Sequence, residues 1–368
     1  MKILITGAGG QVGTDLIPLL LSRGHQVAAL DLAPAPAATP AGVQWIQGDV
    51  TRQEEVFDAV KASKPDSIFH LAAILSATGE RIPFRAYAVN MEGTRYVLEA
   101  ARVLGTKQVI FTSTIAAFGP GLDNPVGNDV SMRPTTMYGV TKVAGELLGE
   151  YYATKWGLDF RGVRFPGLIS AVEPGGGTSD YVNYMYFDGV RKGAYEAFVR
   201  ADTTIPLMYM PDALRALVDL AEAPAKQLKH RMFNIAAMSP RADEIAAAVA
   251  RRIPGVKITF KPDPRRQAIV DSWPQALDDK VAATEWRWKA EWDLERMTDD
   301  LLAKVRAMSG VAAPAAAPAA KPTAKPAAGT TAKPAASMTA KPAGSVTAKP
   351  AAKAPAPKPV AAAKGQKK

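Results

Sequence analysis

Four side chains in this sequence have the types and spacing to move a proton from an alcohol: Ser113 and Thr114 in the run QVIFTST, and Tyr138 and Lys142 in TMYGVTKVAGELLGEYY. Residues four apart are neighbours on an α-helix, so the tyrosine and the lysine share one helical face. A free phenol, with a pKa of about 10, is a poor base at neutral pH, and a lysine ammonium close by stabilises the phenolate. Bringing the phenol to about 7 takes about three pH units, or about 4 kcal/mol of differential interaction. The hydroxyl of Ser113 or Thr114 would then hold the substrate oxygen while Tyr138 takes its proton and a hydride leaves. The same spacing also describes two surface residues of an ordinary helix, so the surrounding elements must decide.

From residue 1 to about 165 the chain alternates apolar runs with helical stretches. KILIT (2–6), QVAAL (26–30), VQWIQ (43–47), SIFHLA (67–72), QVIFTS (108–113) and LDFRGVRF (158–165) read as strands. Residues 11–23, 52–62, 84–104 and the helix opened by Tyr138 have helical periodicity. The strands lack in-out alternation, which marks a parallel sheet covered on both faces. The expected class is α/β, a doubly wound parallel sheet.

Such a sheet binds ligands beyond the carboxyl ends of its strands. TGAGGQVG places Gly7, Gly10 and Gly13 in GxxGxxG spacing after the first strand, with Gln11 and Val12 between the last two. Gly7 permits a tight turn, Gly10 lets the backbone approach a pyrophosphate, and Gly13 lets the helix pack on the strand, while the helix N-terminus supplies amides and positive dipole. The glycines alone also suit a purely structural turn. Asp31 ends the second strand eighteen residues after Gly13. An acid there can accept from both hydroxyls of an adenosine ribose and would repel the 2′-phosphate of NADP, so NAD is the expected cofactor. In GDV, Asp49 with Val50 is placed to meet the adenine amino group, or to cap the following helix. Leu71, Ala72 and Ala73 close the fourth strand with a small-residue stretch beside which a cofactor can lie.

The 368 residues carry 45 basic and 35 acidic side chains, a net charge of +10. From Val311 onward the sequence is almost only Ala, Pro, Lys, Thr, Gly and Ser, with TAKPA recurring every eight residues from Thr323, ten lysines and no acid. The body is therefore left with 35 charges of each sign. No hydrophobic face can form from such a segment and proline blocks helix and sheet alike, so 311–368 is expected to be a disordered tail. Its lysines can make weak, salt-sensitive contacts with nucleic acid or another polyanion, or merely keep the protein in solution. There is no cysteine, and His25, His70 and His230 are scattered, so no metal site is expected. No apolar run reaches the roughly 20 residues of a membrane span. The N-terminus enters a strand without a signal-peptide pattern, and a cytoplasmic setting is expected.

The order TGAGGQVG, Asp31, GDV, HLAA, VNMEGT, TST and YGVTK resembles the extended short-chain dehydrogenase/reductase superfamily, which includes UDP-galactose 4-epimerase. More narrowly, LAAILSATGE (71–80), STIAAFGP (113–120), RFPGLIS (164–170), PGGGTSDY (174–181), IPLMYMPDALRALVDL (205–220) and SWPQALDD (272–279) resemble the short-chain L-threonine 3-dehydrogenase family, over residues 1–308. The resemblance implies one catalytic domain over 1–310: a Rossmann-type sheet that binds NAD mainly through 1–165, and a small C-terminal subdomain that binds substrate mainly through 166–310. It implies oxidation of L-threonine at C3 to 2-amino-3-oxobutanoate, with Tyr138 as general base, Lys142 on the nicotinamide ribose and Thr114 at the hydroxyl position. TST replaces the SS pair of many epimerases, so Ser113 stays a candidate beside Thr114. By the same resemblance Asn90 is a structural or cofactor-proximal asparagine, Phe165 and Pro166 flank the nicotinamide, and Ser76 and Thr178 bind the amino-acid substrate. Ser76 also suits a simple chain turn, and Gly175–Gly177 either a flexible connector or a lid that closes over a small substrate. Helices 84–104 and 138–156 are the superfamily's usual homodimer pair. A sugar-nucleotide epimerase or dehydratase competes with this assignment, but 173–240 lacks clustered arginines for a diphosphate. A non-enzymatic NAD-binding protein acting through its basic tail also competes, yet it would have no use for the Thr114, Tyr138 and Lys142 set.

Overall fold

The computed structural model describes residues 1–175 and 177–311; apart from Val311, the expected tail lies outside the described residues. The chain begins with β1 (Lys2–Thr6), α1 (Gln11–Ser22), β2 (Gln26–Asp31), β3 (Gln44–Gln47), α2 (Gln53–Ser63) and β4 (Ser67–His70). It continues through α3 (Ser76–Arg81), α4 (Pro83–Tyr87), α5 (Gly93–Leu104), β5 (Gln108–Thr114), α6 (Met137–Trp156), β6 (Asp159–Phe165) and β7 (Gly167–Ile169). Then come α7 (Tyr181–Lys192), β8 (Ala194–Ala197), β9 (Leu207–Tyr209), α8 (Met210–Glu222) and β10 (Met232–Asn234). The last elements are α9 (Ala242–Arg252), β11 (Lys257–Phe260), α10 (Pro264–Asp271), α11 (Lys280–Trp286) and α12 (Leu294–Ser309).

The main sheet has the order β3-β2-β1-β4-β5-β6-β10, with every neighbouring pair parallel. This is the expected doubly wound architecture, with β10 added at the edge from well beyond residue 165. Alternate residues of each interior strand feed two separate cores. Ile3, Ile5, Phe69 and Ile110 pack with Leu16 and Leu20 of α1 and Leu217 of α8. Leu4, Ile68, Val109 and Phe111 pack with Val56 and Val60 of α2 and Val97 and Leu98 of α5. Each such side chain contributes about 1.5–3 kcal/mol on burial, and because both faces are buried the strand sequences show no alternation. A further core under α7, α9 and α12 gathers Tyr181, Tyr186, Ile245 and Leu301 beside the parallel pair β8 and β11.

The connections run outward in opposite directions from β1 and β4, and ligands of such sheets enter the crevice at that switch point. There the structure departs from the expected elements in two places. β4 ends at His70 rather than Ala72: Leu71 N–H still donates to Thr6 O at 3.1 Å, and the chain then peels away to open the crevice. The expected helix over 84–104 is interrupted by a π-helical turn, Ala88–Glu92, between α4 and α5. Such turns are frequent at functional sites, and this one carries Asn90 inward.

Three local features fix α6. Thr136 caps it, its hydroxyl accepting from Gly139 N–H at 3.1 Å; Glu80 of α3 accepts from Met137 N–H at 2.8 Å; and Gly157, at φ 72°, ends it. A capping hydroxyl of this kind is worth about 1 kcal/mol. A Cβ on Gly149 would fall 2.1 Å from the Phe160 ring, so only glycine lets α6 lie this close to the sheet. That close approach brings its polar N-terminal turns against the end of β5. Among the described residues no helix is long and apolar enough to cross a membrane.

Candidate active site

Lys142 is buried under the first turns of α6 and donates to Thr112 O at 2.6 Å. Its ammonium lies 4.8 Å from the centroid of the Phe111 ring and 5.7 Å from that of Tyr138. Thr114 closes β5; its hydroxyl accepts from Ala116 N–H at 3.2 Å and lies near enough to the Tyr138 phenol to favour its ionisation. Successive side chains of a strand leave opposite faces, and Ser113 accordingly turns away: its hydroxyl donates to the Glu146 carboxylate. The two hydroxyls that the sequence could not rank thus have different surroundings: Ser113 is bonded to Glu146, and Thr114 lies near Tyr138.

The electrostatics differ from the expectation of a phenol lowered by its lysine. Burial pushes Tyr138 up to about 12, more than the Thr114 hydroxyl offsets. Burial pushes Lys142 down to about 7, partly opposed by the negative charge of Glu146. Both groups lie in the same water-poor corner, where desolvation disfavours the charged form of each.

Beneath them His70 is neutral, driven down to about 3 by burial and, secondarily, by Lys142. The Thr94 hydroxyl donates to Asn90 O at 2.6 Å, so it must accept from His70 Nε2–H at 2.9 Å, and Thr6 must donate to Nδ1 at 2.7 Å. This histidine ties the ends of β1 and β4 to the π-helical turn. Asn90 completes the tie: its Oδ1 accepts from Ile74 N–H at 2.7 Å, and its Nδ2 donates to Ile74 O and to Thr141. Asn90 therefore clamps the loop after β4 to α6.

A cavity of about 280 Å³ runs over Tyr138 and Lys142. Its lining includes Gly7, Gly10, Gln11, Val12 and Gly13, with Leu71 and Ala73. Ser113, Thr114, Phe165 and Pro166 also line it, as do Ser76 and Thr178, whose hydroxyls are 3.3 Å apart. Asp31, Asp49, Val50, Ala72 and Asn90 lie outside this wall. Gly177, from the expected connector or lid, belongs to it, and so do Ser179, Asp180 and Trp273, which the sequence did not single out. They fall in the motifs PGGGTSDY and SWPQALDD, and that likeness was the available signal; no spacing rule joins Trp273 to Tyr138 across 135 residues.

The glycine turn fits a dinucleotide on its own geometry. Gly7 has φ +71°, and a Cβ there would come within 2.7 Å of the Ala72 backbone, so the turn and the end of β4 are in contact. A Cβ on Gly13 would lie 2.5 Å from Ala8 O. The N-cap of α1 is Gly10, no side chain takes the first-turn amides, and such amides suit a pyrophosphate. Asp31 accepts from Gly9 N–H at 2.8 Å and from Ala33 N–H at 3.0 Å, which fixes its carboxylate beside the turn. Asp49 is not the cap of α2, which is Arg52; it accepts from Thr51 N–H at 2.9 Å and from Arg85 at 2.8 Å.

Residues 3–236 match the NAD dependent epimerase/dehydratase family. The mitochondrial L-threonine 3-dehydrogenase of Bos taurus is 40% identical over 305 residues, covering 82% of this chain and 82% of that protein. The structure of L-threonine dehydrogenase from Clostridium difficile aligns with a TM-score of 0.80 and 43% identity, over 84% of this chain and 98% of that one. The holo form of the GalE-like L-threonine dehydrogenase from Cupriavidus necator aligns with a TM-score of 0.79 and 41% identity, over 83% and 100% of the two chains. The glycine turn at the switch point, the parallel sheet and the cavity shared by Thr114 and Tyr138 agree with these matches: the chain belongs to the NAD dependent epimerase/dehydratase family, within the extended short-chain dehydrogenase/reductases.

Proposed function

We propose that the protein oxidises L-threonine at C3 to 2-amino-3-oxobutanoate, with NAD as the oxidant. The observation that carries this is a single cavity lined together by the glycine turn, by Thr114, Tyr138 and Lys142, and by Ser76 and Thr178 with their hydroxyls 3.3 Å apart. In this proposal the turn 7–13 and Asp31 hold the dinucleotide, Phe165 and Pro166 flank its nicotinamide, and Lys142 reaches its ribose. The bound cofactor supplies the hydride acceptor. Thr114, at the end of β5, holds the substrate hydroxyl, and Tyr138, on α6, takes the proton. Burial alone keeps the phenol protonated, so proton transfer depends on positive charge nearby, and Lys142 is the chain's own source of it when protonated.

The charged side chains among the described lining residues are Lys142 and Asp180. A carboxylate in this lining suits the ammonium group of an amino acid and opposes a nucleotide diphosphate, which favours threonine over a sugar nucleotide. The proposal is tested by mixing the purified protein and NAD with a panel of hydroxy amino acids and UDP-sugars while following the NADH absorbance. NADH formation with L-threonine is expected. NADH formation only with UDP-sugars, or with nothing on the panel, would overturn it.

A homodimer is proposed on a second observation. Val140, Leu147 and Tyr151 expose apolar surface along α6, and Phe84 of α4 is 89% exposed. Contiguous apolar surface of this kind marks association sites. A Leu147→Asp variant sedimenting as a monomer beside a dimeric parent is the expected result.

A further inference from the structure

One turn beyond Lys142 on α6 stands Glu146, a carboxylate almost wholly withdrawn from water. It accepts from the Ser113 hydroxyl at the end of β5, and from the Arg164 guanidinium of β6 at 2.7 and 3.0 Å. Arg164 in turn donates to Asn128 O at 2.7 Å and to Asn234 Oδ1 at 3.0 Å. The carboxylate is therefore gripped from β5 and β6 and cannot swing away. Four residues of helix place it on the face that carries Lys142.

We propose that Glu146 is a positioning residue for Lys142: clamped by Ser113 and Arg164, it supplies the fixed negative charge that keeps the buried ammonium protonated beside Tyr138. This rests on reading Lys142 as the cation of the reaction. Lys142 has one protein acceptor among the described residues, Thr112 O, and a neutral acceptor cannot balance a charge taken out of water. The other titratable or charged groups around it do not supply the balance. Tyr138, on the same helix, is protonated; His70, below on β4, is neutral. Arg164, on β6, repels the ammonium. Glu80, from α3, is exposed and bound to Met137 N–H; Glu150 is a further turn away; and β5 contributes no charged side chain. Glu146 is the group whose charge favours the ammonium, and the direction of its influence on Lys142 agrees. The arrangement also gives Ser113 a role other than touching substrate: it completes the grip on the carboxylate.

The test reads Lys142 directly in the full-length protein. With 13C-labelled lysine, the Cε resonance that vanishes in Lys142→Met is followed against pH. In Glu146→Gln its midpoint is expected to fall by at least about one pH unit, which reduces the protonated fraction above the midpoint about tenfold. Glu146→Asp is expected to restore most of that shift. Glu146→Gln leaves Arg164 buried without its partner, so Glu146→Gln/Arg164→Gln serves as a second variant that removes both charges, with its midpoint expected between those of the parent and the single variant. An unchanged Lys142 midpoint in either folded variant overturns the proposal. The titration needs no turnover, so it separates this failure from a failure of threonine oxidation. In an active enzyme the alkaline limb of the kcat profile is expected to move down by the same amount.

Discussion

Two cations are buried in or near this site, Lys142 in the cavity wall and Arg164 outside it, and they are held in opposite ways. Arg164 donates to both oxygens of Glu146, to Asn128 O and to Asn234 Oδ1, so its donors meet acceptors in every direction. Lys142 donates to Thr112 O and otherwise faces the cavity. A guanidinium saturated by protein acceptors holds elements together, here α6, β6 and β10. An ammonium with donors to spare is available to what enters the cavity, and it carries a desolvation cost until that happens. The same pairing rule that marks Arg164 as structural fits the chemical role proposed for Lys142.

The sharpest way to break that contrast is at the phenol. Tyr138→Phe is expected to lower turnover of threonine by about 10³-fold, within the range for loss of a general base, with NAD affinity and melting temperature little changed. Steady-state kinetics with calorimetric NAD binding checks this, and retained turnover would place the base elsewhere. On the structural side, Arg164→Met strands the Glu146 carboxylate and is expected to cost about 3–5 kcal/mol in urea unfolding. A cost below about 1 kcal/mol would mean that Arg164 is not the strut described here.

Lys142→Met should do the reverse: turnover disappears while stability at neutral pH rises by roughly 1–3 kcal/mol. The sign follows from the titration. The folded value, about 7, lies below the ordinary 10.5, so the folded state binds fewer protons than the unfolded chain and stability rises with pH between those limits. The variant should lose that rise; a lower melting temperature than the parent would break the contrast. The smallest expected effect is at Ser113. Ser113→Ala should cost about 1 kcal/mol of stability by deleting one donor to Glu146. Its turnover is expected to stay within a few-fold of the parent, whereas Thr114→Ala should lose about 10²-fold.

The glycine turn was legible in the sequence because backbone geometry alone fixes it. A glycine turn between a buried strand and a helix leaves few conformations, and Gly7, Gly10 and Gly13 lie at the switch point as their spacing implied. Legibility failed where one residue answers to several elements. His70 looked like a scattered histidine, yet it bridges Thr6 and Thr94. Asn90 lay in a stretch that reads as continuous helix, and its position depends on a π-helical turn that periodicity does not reveal. Asp49 admitted an adenine contact or a helix cap; the cap proved to be Arg52, because the carboxylate pairs with Thr51 and Arg85 instead.

The sequence by itself determined the parallel sheet, the place of the glycine turn and the neighbourhood of Tyr138 and Lys142 on one helical face, since each follows from local periodicity and chain geometry. Only the tertiary structure decided that Thr114 lies near Tyr138 while Ser113 is bonded to Glu146, and that Trp273 and Asp180 join the wall. It also decided that burial drives the phenol and the ammonium toward neutrality. Those outcomes depend on strand pleat, on contacts between residues more than a hundred apart and on how much water the packed elements exclude, none of which is a property of a local stretch of chain.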